Sequence, residues 1–453
     1  MKIRSLEIKN FKVFKDMKME KIPDLCVIVG ANGTGKSTFL QVFEFLKDAV
    51  MFDLKTAVGK LNYIYKLDGI RSIGANKEEP ITIRIGFLDE VEVPDNKKRK
   101  NKKRDNKKQD VVKKEVDVTY ELVFNDGENG LYIKKEQLYY KIRGKEKKTV
   151  YFKRGKNSKL KLINDLEFEV VVTNKEGNRK EEKIALNNPP KHILALKWIT
   201  DFRNILPIPI PLPYLSRKIS NLIKSWSPSD FQISEARKIE LKGHIDMSPQ
   251  GGGLFASLIN ISKDKRERIE SDMKSYITDF ESLDINRDFD AVRIRYKHLN
   301  RPVSYHHLSD GTIKLLYYLL LLNTAYSNMD PFNTDFPFLF INEPENHLYH
   351  EILWKLMEDF KIYAKNSQIF LTTHSTDFLD EAELDDVFWL EKEKGSVKVC
   401  RAKDNEYLKV QVKEGDRLGT LFQEGSFGNV HPRREVDFSV SKRAKKLLVK
   451  KNN

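Results

Sequence analysis

The sequence predicts an α/β fold: a largely parallel sheet flanked by helices, with an antiparallel β segment and a helical arm inserted between its two halves. Three observations predict it. Near the start, the apolar run Leu25-Cys26-Val27-Ile28-Val29 enters the stretch Gly30-Ala31-Asn32-Gly33-Thr34-Gly35-Lys36-Ser37-Thr38, and a helical pattern follows over 39–50. Far downstream, within 291–400, strand-length apolar runs alternate with helix-length patterns, as in sheets built from parallel strands. Between these parts, 116–173 reads as consecutive strands separated by turns such as Asn125-Asp126-Gly127. The chain divides accordingly into an N-terminal lobe (1–94), a basic loop with a β-rich insertion (95–200), a helical arm (201–290), a C-terminal lobe (291–400) and a C-terminal extension (401–453).

Length and composition narrow the reading. A chain of 453 residues exceeds one simple core and implies two or three domains. With 40% apolar residues it can bury a core despite 32% charged ones. The net charge of +15 is compatible with a polyanionic partner, although charge alone does not name nucleic acid. Cys26 and Cys400 give no disulfide framework, which fits a reducing cytosol. Residues 1–9 mix charged with apolar residues, unlike a secretory signal. The longest apolar run, 315–322, falls well short of the roughly 20 residues that span a bilayer. The expectation is a soluble cytoplasmic protein with no membrane segment.

In chain order, Ile3, Leu6 and Ile8 among charged neighbours indicate a strand with one face on a core, and a second short strand leads into the run at 25–30. Phe11 and Phe14 either pack in the core, the preferred reading, or lie near a base. Ile81, Ile83, Ile85 and Phe87 alternate with Thr82, Arg84 and Gly86, so 81–93 reads as a strand. The segment 95–114 is dominated by Lys and Arg and is expected as a disordered surface loop. It is either a solvated insertion, which is preferred, or an arm that touches nucleic-acid phosphates. Strands follow at 116–124, 130–143, 149–153 and 166–173. Prolines alternating with aliphatics at 206–213 favour an extended segment. Helices are expected at 214–226 and 261–280, with Gly251-Gly252-Gly253 breaking the chain between them. Heptads and internal repeats are absent. Then come a strand at 292–296, a loop at 306–311, a helix at 312–326, a strand at 336–341 and a helix at 350–363. Strands at 368–372, 387–390 and 397–402 complete the pattern, and the basic tail 441–453 is expected to fray.

The stretch 30–38 has the spacing G-x-x-x-x-G-K-S between a strand and a helix, the setting a phosphate-binding P-loop requires. Its glycines let successive N–H groups turn inward around an anion, and the helix aims its positive end at the same spot. Lys36 would reach the β- and γ-phosphates of a nucleotide and Ser37 would offer its hydroxyl to Mg²⁺. An ordinary glycine-rich strand–helix turn is the plain alternative. Three further stretches follow. Leu308-Ser309-Asp310-Gly311-Thr312 precedes a helix, which makes a second anion site from N–H groups. Phe338-Leu339-Phe340-Ile341-Asn342-Glu343 has polar residues where ligands of parallel sheets bind, and Glu343 can orient or deprotonate a water. Leu371-Thr372-Thr373-His374-Ser375 ends another buried strand, which sets His374 to hydrogen-bond a γ-phosphate. Singly, each has a structural reading as a helix-start carboxylate, a satisfied loop histidine or a helix cap. Their joint order after a P-loop argues for nucleotide hydrolysis.

On these residues the chain resembles the ABC-type ATPases of the RecF/SMC-related group, in particular AAA-family ATPases of bacterial DNA-repair and phage-defence loci. Residues 30–37 match their Walker A motif and 308–312 their signature motif. Residues 338–343, followed by Pro344-Glu345-Asn346, match Walker B and its extension, and 372–375 match the switch-histidine loop. The opening Ile8-Lys9-Asn10-Phe11 and the late Leu418-Gly419-Thr420-Leu421-Phe422, with Gly425 and Gly428 behind it, are also similar. The likeness covers roughly 1–90 and 290–430. It implies a P-loop NTPase fold of the ABC head type that takes ATP and Mg²⁺, with Lys36, Glu343 and His374 in catalytic roles. It also implies head-to-tail pairing in a homodimer or larger homo-oligomer. Ser309, Asp310 and Gly311 of one copy would close over ATP held by Gly30 to Thr38 of the other.

One residue departs from that pattern. The family places an acidic residue before the catalytic glutamate, whereas here Asn342 can accept from a metal-bound water but adds no charge. No Q-loop glutamine is identifiable, since Gln41 lies on the first helix. Three functions compete. The first is a slow ATPase acting on DNA in a sequence-tolerant way, or on a separately encoded effector, in DNA repair or antiviral defence. The second is a nucleotide-gated scaffold with little turnover that holds a nuclease or toxin. The third and least favoured is an intrinsic nuclease, for which Asp385-Asp386 and Glu391 are the only notable acidic groups after His374. They read better as a solvated face.

Overall fold

The computed structural model describes residues 1–62, 67–94, 111–128, 130–144, 148–154, 160–162, 168–173, 179–184, 190–205, 214–238, 247–286, 291–327, 338–393 and 395–428. Its strands are β1 (Lys2–Phe11), β2 (Phe14–Glu20), β3 (Leu25–Gly30), β4 (Ile81–Pro94), β5 (Val111–Gly127), β6 (Gly130–Ile142), β7 (Lys148–Arg154), β8 (Leu160–Leu162) and β9 (Phe168–Thr173). They continue with β10 (Arg179–Ile184), β11 (Ser227–Ser229), β12 (Phe280–Asn286), β13 (Ala291–Tyr296), β14 (Val303–Ser304), β15 (Phe338–Asn342), β16 (Gln368–Thr373), β17 (Val387–Glu393) and β18 (Ser396–Arg401). The helices are α1 (Lys36–Met51), α2 (Leu54–Asn62), α3 (Ala195–Ile205), α4 (Tyr214–Ser225), α5 (Ile233–Ala236) and α6 (Leu254–Asn260). They continue with α7 (Lys263–Tyr276), α8 (Asp310–Ser327), α9 (Leu353–Ala364), α10 (Thr376–Asp380), α11 (Glu406–Glu414) and α12 (Leu418–Gln423).

Two large sheets organise these elements. One is antiparallel, in the order β2-β1-β4-β5-β6-β7-β8. The other runs β11-β15-β16-β3-β17-β18, parallel from β11 to β17 and antiparallel only at β18. Strands β3, β15 and β16 are apolar on both faces because both are covered. Cys26, Ile28, Phe338, Phe340 and Phe370 point into a core shared with α1 and with β1, β4 and β5. Val27, Val29, Leu339, Ile341, Ile369 and Leu371 point into a second core with α8 and α9. Helix α1 therefore lies between the sheets, and an aromatic cluster holds it there. The Phe43 ring sits 4.3 Å from Phe340 and 5.2 Å from Trp226, and Phe340 stacks on Phe370 at 5.1 Å. Contacts of this kind contribute roughly 0.5–1.5 kcal/mol each beyond their buried area. Phe11 and Phe14 are wholly buried in the first core, in line with the preferred reading.

Several expectations need correction. The basic loop ends earlier than 114: residues 95–110 lie outside the described residues, but Val111 to Lys114 belong to β5 and pair with Pro94 to Val91. A ladder already in register from Ile81 and Phe124 extends at little further entropic cost. Asn125-Asp126-Gly127 is strand rather than turn, and the chain reverses between Gly127 and Gly130. Asn125 is satisfied in place, since its Oδ1 accepts from Arg71 at 2.7 Å and its Nδ2 donates to the Lys77 and Glu78 carbonyls. The helix expected at 261–280 is the shorter α7, capped where Ser262 Oγ accepts from Lys265 N–H, and Phe280 already opens β12. The helix expected from 312 starts at Asp310. The segments 206–213 and 441–453 lie outside the described residues. The 201–290 segment carries α4 to α7, and it also contributes β11 to the parallel sheet. The antiparallel sheet likewise runs across the 94/95 division, because β4 pairs with β5.

Candidate functional site

Strand β3 delivers Gly30 to the C-terminal edge of the parallel sheet, and α1 begins at Lys36. Gly33 and Gly35 take φ values of 77° and 101°, the left-handed region that suits glycine. At Gly35 a Cβ would also lie 2.6 Å from Val13 Cγ2. Thr34 closes the loop, donating to the Ala31 carbonyl from N–H at 3.2 Å and from Oγ1 at 2.7 Å. Lys36 folds back to donate from Nζ to the Gly30 carbonyl at 2.8 Å, and burial lowers its pKa. Asn32, Gly33 and Ser37 face solvent at the mouth. Beside Gly33 a pocket of about 630 Å³, lined in part by Lys12, Val13, Lys15 and Arg71, leaves room for a ligand larger than phosphate.

The ends of β15 and β16 bring the other groups to this edge. Glu343 Oε1 lies 3.9 Å from Lys36 Nζ and 3.4 Å from His374 Nδ1. Glu343 is a non-glycine residue at φ 43°, the local strain that clusters at functional sites. Its N–H donates to the Thr372 carbonyl at 2.9 Å and its Oε2 accepts from Asn346 Nδ2 at 3.0 Å. Asn342 Oδ1 accepts from Thr372 Oγ1 at 2.6 Å, and its Nδ2 donates to Asp230 Oδ1 at 3.1 Å. Lys314, buried at 2% exposure, donates from α8 to the Glu343 and Asn346 carbonyls, and desolvation brings its pKa down to about 8.

Two functional candidates escaped the sequence. Asp230 follows β11, a three-residue strand containing a proline, too short to show alternation. It occupies the place beside Asn342, whereas Gln41 is turned to Lys12, whose Nζ donates to its Oε1 at 2.7 Å. Glu345 is 8% exposed, and its Oε1 accepts from Thr373 Oγ1 at 2.6 Å and from His374 N–H at 3.1 Å. It therefore fixes the backbone that carries the histidine. The only sequence signal was its place in the extension after Glu343.

Ser309, Asp310 and Gly311 form a separate turn at the start of α8. Ser309 Oγ accepts from Thr312 N–H at 3.1 Å. A Cβ at Gly311 would lie 2.9 Å from the His347 carbonyl, so glycine lets this turn approach the loop after Glu343. Arg237, just past α5, donates to the carbonyls of His306 at 3.0 Å and Leu308 at 2.7 Å and to Asp310 Oδ1 at 2.7 Å. Among the described residues no hydrogen bond or ion pair joins residues 309–311 to residues 30–38. The acidic residues after His374 are not assembled for metals. Asp385 pairs with Lys403 at 2.5 Å, and no group of three His, Cys, Asp or Glu residues that could hold a metal occurs among the described residues. Asp386 departs from the expected solvated face: desolvation, then the charge of Glu383, pushes its pKa up to about 7. Its carbonyl accepts from Val27 N–H at 2.8 Å, which draws it against β3.

A family model described as "AAA domain, putative AbiEii toxin, Type IV TA system" matches residues 25–380. The chain belongs to this AAA-domain family. The match runs from β3 to the end of α10 and so takes in the P-loop, the 309–311 turn, Glu343 and His374. An α/β P-loop ATPase fold is thereby established for this AAA-domain chain. Similar solved structures include the "SMC head domain from Thermotoga maritima", at 14% identity and a TM-score of 0.42, covering 88% of this chain and 99% of that one. An SMC head bound to the C-winged helix domain of ScpA has the same identity and TM-score, over 88% and 97% of the two chains. A third, the Smc head domain with an extended coiled coil bound to the C-terminal domain of ScpA derived from Pyrococcus furiosus, shows 13% identity and a TM-score of 0.42 over 91% and 99%. No curated protein matches the sequence. Among the described residues, no helix is long and apolar enough to cross a membrane.

Proposed function

We propose that this AAA-domain protein binds ATP with Mg²⁺ and hydrolyses it slowly, working as a homodimer or larger homo-oligomer on DNA or on a separately encoded effector. The convergence of Lys36, Glu343 and His374 at the mouth of the P-loop carries the reading. In it, N–H groups of 30–38 and the Lys36 ammonium bind the phosphates, as the left-handed glycines and the start of α1 suit them to do. Glu343, oriented by Asn346, accepts a proton from the attacking water, and the His374 imidazole, backed by Glu345, hydrogen-bonds the terminal phosphate. Ser37, Asn342 and Asp230 offer oxygen donors of the kind Mg²⁺ takes, and Asp230 puts a carboxylate beside the amide at 342. The ion, when bound, would neutralise phosphate charge. Because residues 309–311 lie in their own turn, their anion site is best used on a triphosphate held by a second copy.

Phosphate release by the wild type, Lys36→Ala and Glu343→Gln tests this. Each variant should run below about a tenth of the wild-type rate, the order expected when a general base or phosphate ligand is lost. Equal rates in all three reject hydrolysis at this site. Action in DNA repair or antiviral defence belongs to the same proposal and would be sought by co-purifying partners.

Asn342 favours a second reading, a nucleotide-gated scaffold with little turnover that restrains a separate nuclease or toxin. Faster turnover in Asn342→Asp at unchanged ATP affinity would support this reading, and a brisk wild-type rate would reject it.

A further inference from the structure

Helix α8 does more than present the Ser309–Gly311 turn. One turn further along it, Lys314 is enclosed at 2% exposure, and its Nζ donates to the Asn346 carbonyl at 2.6 Å and the Glu343 carbonyl at 3.1 Å. The rings of Tyr318 and Phe231 stand 5.6 and 6.0 Å from the ammonium. Glu345, Glu343 and Asp230 are the carboxylates that act on its charge. A lysine buried this deeply is costly unless it is fully engaged, and this one is engaged by backbone rather than by a single ion pair. The backbone it grips is the strained one. Glu343 sits at φ 43° and His347 at φ 67°, so the 343–347 loop has alternative conformations of lower local energy that something must exclude. The Glu343 N–H to Thr372 carbonyl bond holds one side of the loop, and Lys314 holds the other. Gly311 lies close to the same loop, where a Cβ would stand 2.9 Å from the His347 carbonyl, so the helix start and its second turn both border it.

We propose that Lys314 is a positioning residue for Glu343: its ammonium clamps the 343–346 backbone and ties the hydrolytic loop to the helix that begins at Ser309. The role of Glu343 rests on the ATPase reading above, whereas the clamp itself does not. An α-helix is stiff over one turn, so a phosphate drawn to the start of α8 acts directly on the clamp. Occupancy of a partner's site would thereby reach this chain's own Glu343.

Hydrogen exchange on the nucleotide-free protein tests the clamp directly. Lys314→Met should speed exchange across 343–348 by tenfold or more while 30–38 stay within twofold, and Lys314→Arg should restore most of the protection. Unchanged exchange at 343–348 in the folded Lys314→Met protein overturns the proposal. If exchange rises everywhere, the Met variant is globally destabilised, and Lys314→Gln, which keeps a donor, decides by the same comparison. In steady-state assays Lys314→Met should lower kcat at least tenfold with KM for ATP within twofold. A rise in KM at constant kcat would also overturn it. A wild type that turns over no ATP would end the ATPase reading and leave the exchange result to judge the clamp.

Discussion

Two residues with large pKa shifts, Asp386 and Lys314, make pH predictions possible. Asp386 has its pKa raised from an ordinary 3.8 to about 7, mainly by desolvation. A raised acid favours the folded state fully below the unfolded value, and that contribution disappears as pH climbs through the folded one. Asp386→Asn should therefore gain on the wild type from pH 5 to pH 8, by about 1–2 kcal/mol once partial solvent access is allowed for. Urea unfolding at the two pH values measures it, and a constant difference would refute the assignment. Lys314 works in the opposite sense. Its folded pKa of about 8 lies below the ordinary 10.5, so its contribution to stability grows between those values as the buried ammonium is relieved. As the folded ammonium deprotonates around pH 8, the charge-assisted hold on the Glu343 and Asn346 carbonyls weakens. Turnover should accordingly fall between pH 7 and pH 9 in the wild type and stay nearly flat in Lys314→Arg, as phosphate release at the two pH values would show.

At the scale of elements, the C-terminal part of the chain supports the histidine loop. Ser375, next to His374, caps α10 by accepting from Phe378 N–H at 3.2 Å. Helix α12 then docks on α10 through Gly419, whose N–H donates to Asp380 Oδ1 at 2.6 Å. A Cβ on Gly419 would stand 2.1 Å from the Thr376 carbonyl, closer than any side chain permits, and that neighbour is backbone. Gly419→Ala should push α12 off α10 and cost about 1–3 kcal/mol, the usual range for overpacking. Thermal unfolding reads the cost, and faster cleavage by a protease within 415–428 reads the undocking. An alanine variant as stable as the wild type would show that the helices separate without penalty. Gly419 thus has a physical reason here, since the absence of a side chain is what lets α12 touch α10 just after His374.

For the molecule as a whole, the decisive feature is the coupling of two sheets that meet around α1. Gln368 at the start of β16 joins them. Its Oε1 accepts from Ile3 N–H at 2.7 Å, and its Nε2 donates to the carbonyls of Ile3 at 2.8 Å and Pro23 at 2.9 Å. Fully buried, it satisfies strand-edge groups that water cannot reach. Gln368→Leu would fill the space and orphan those groups, at a cost of about 2–4 kcal/mol. Denaturant unfolding measures the loss, and a neutral result would mean that the sheets are held by packing alone. The charge of +15 acts at the same scale. If 95–110 contacts phosphates, DNA affinity should fall steeply with salt and deleting that segment should flatten the slope, whereas an unchanged slope would return the segment to solvent.

What the sequence determined by itself was whatever depends on consecutive residues. The cradle of 30–38 is made by neighbouring N–H groups, and the runs at 25–29, 338–341 and 369–371 are apolar throughout because both faces are covered, so each carries its own signature. His374 and Glu343 were legible because each ends such a run. The tertiary structure alone decided which side chains from distant segments meet. Asp230 reaches Asn342 across 112 residues, Lys314 reaches Glu343 across 29, and Gln368 reaches Ile3 across 365. Those meetings follow from strand order and register, which no local pattern encodes. A three-residue strand such as β11 is also too short to announce itself, so the carboxylate it positions becomes visible only once the sheet has formed.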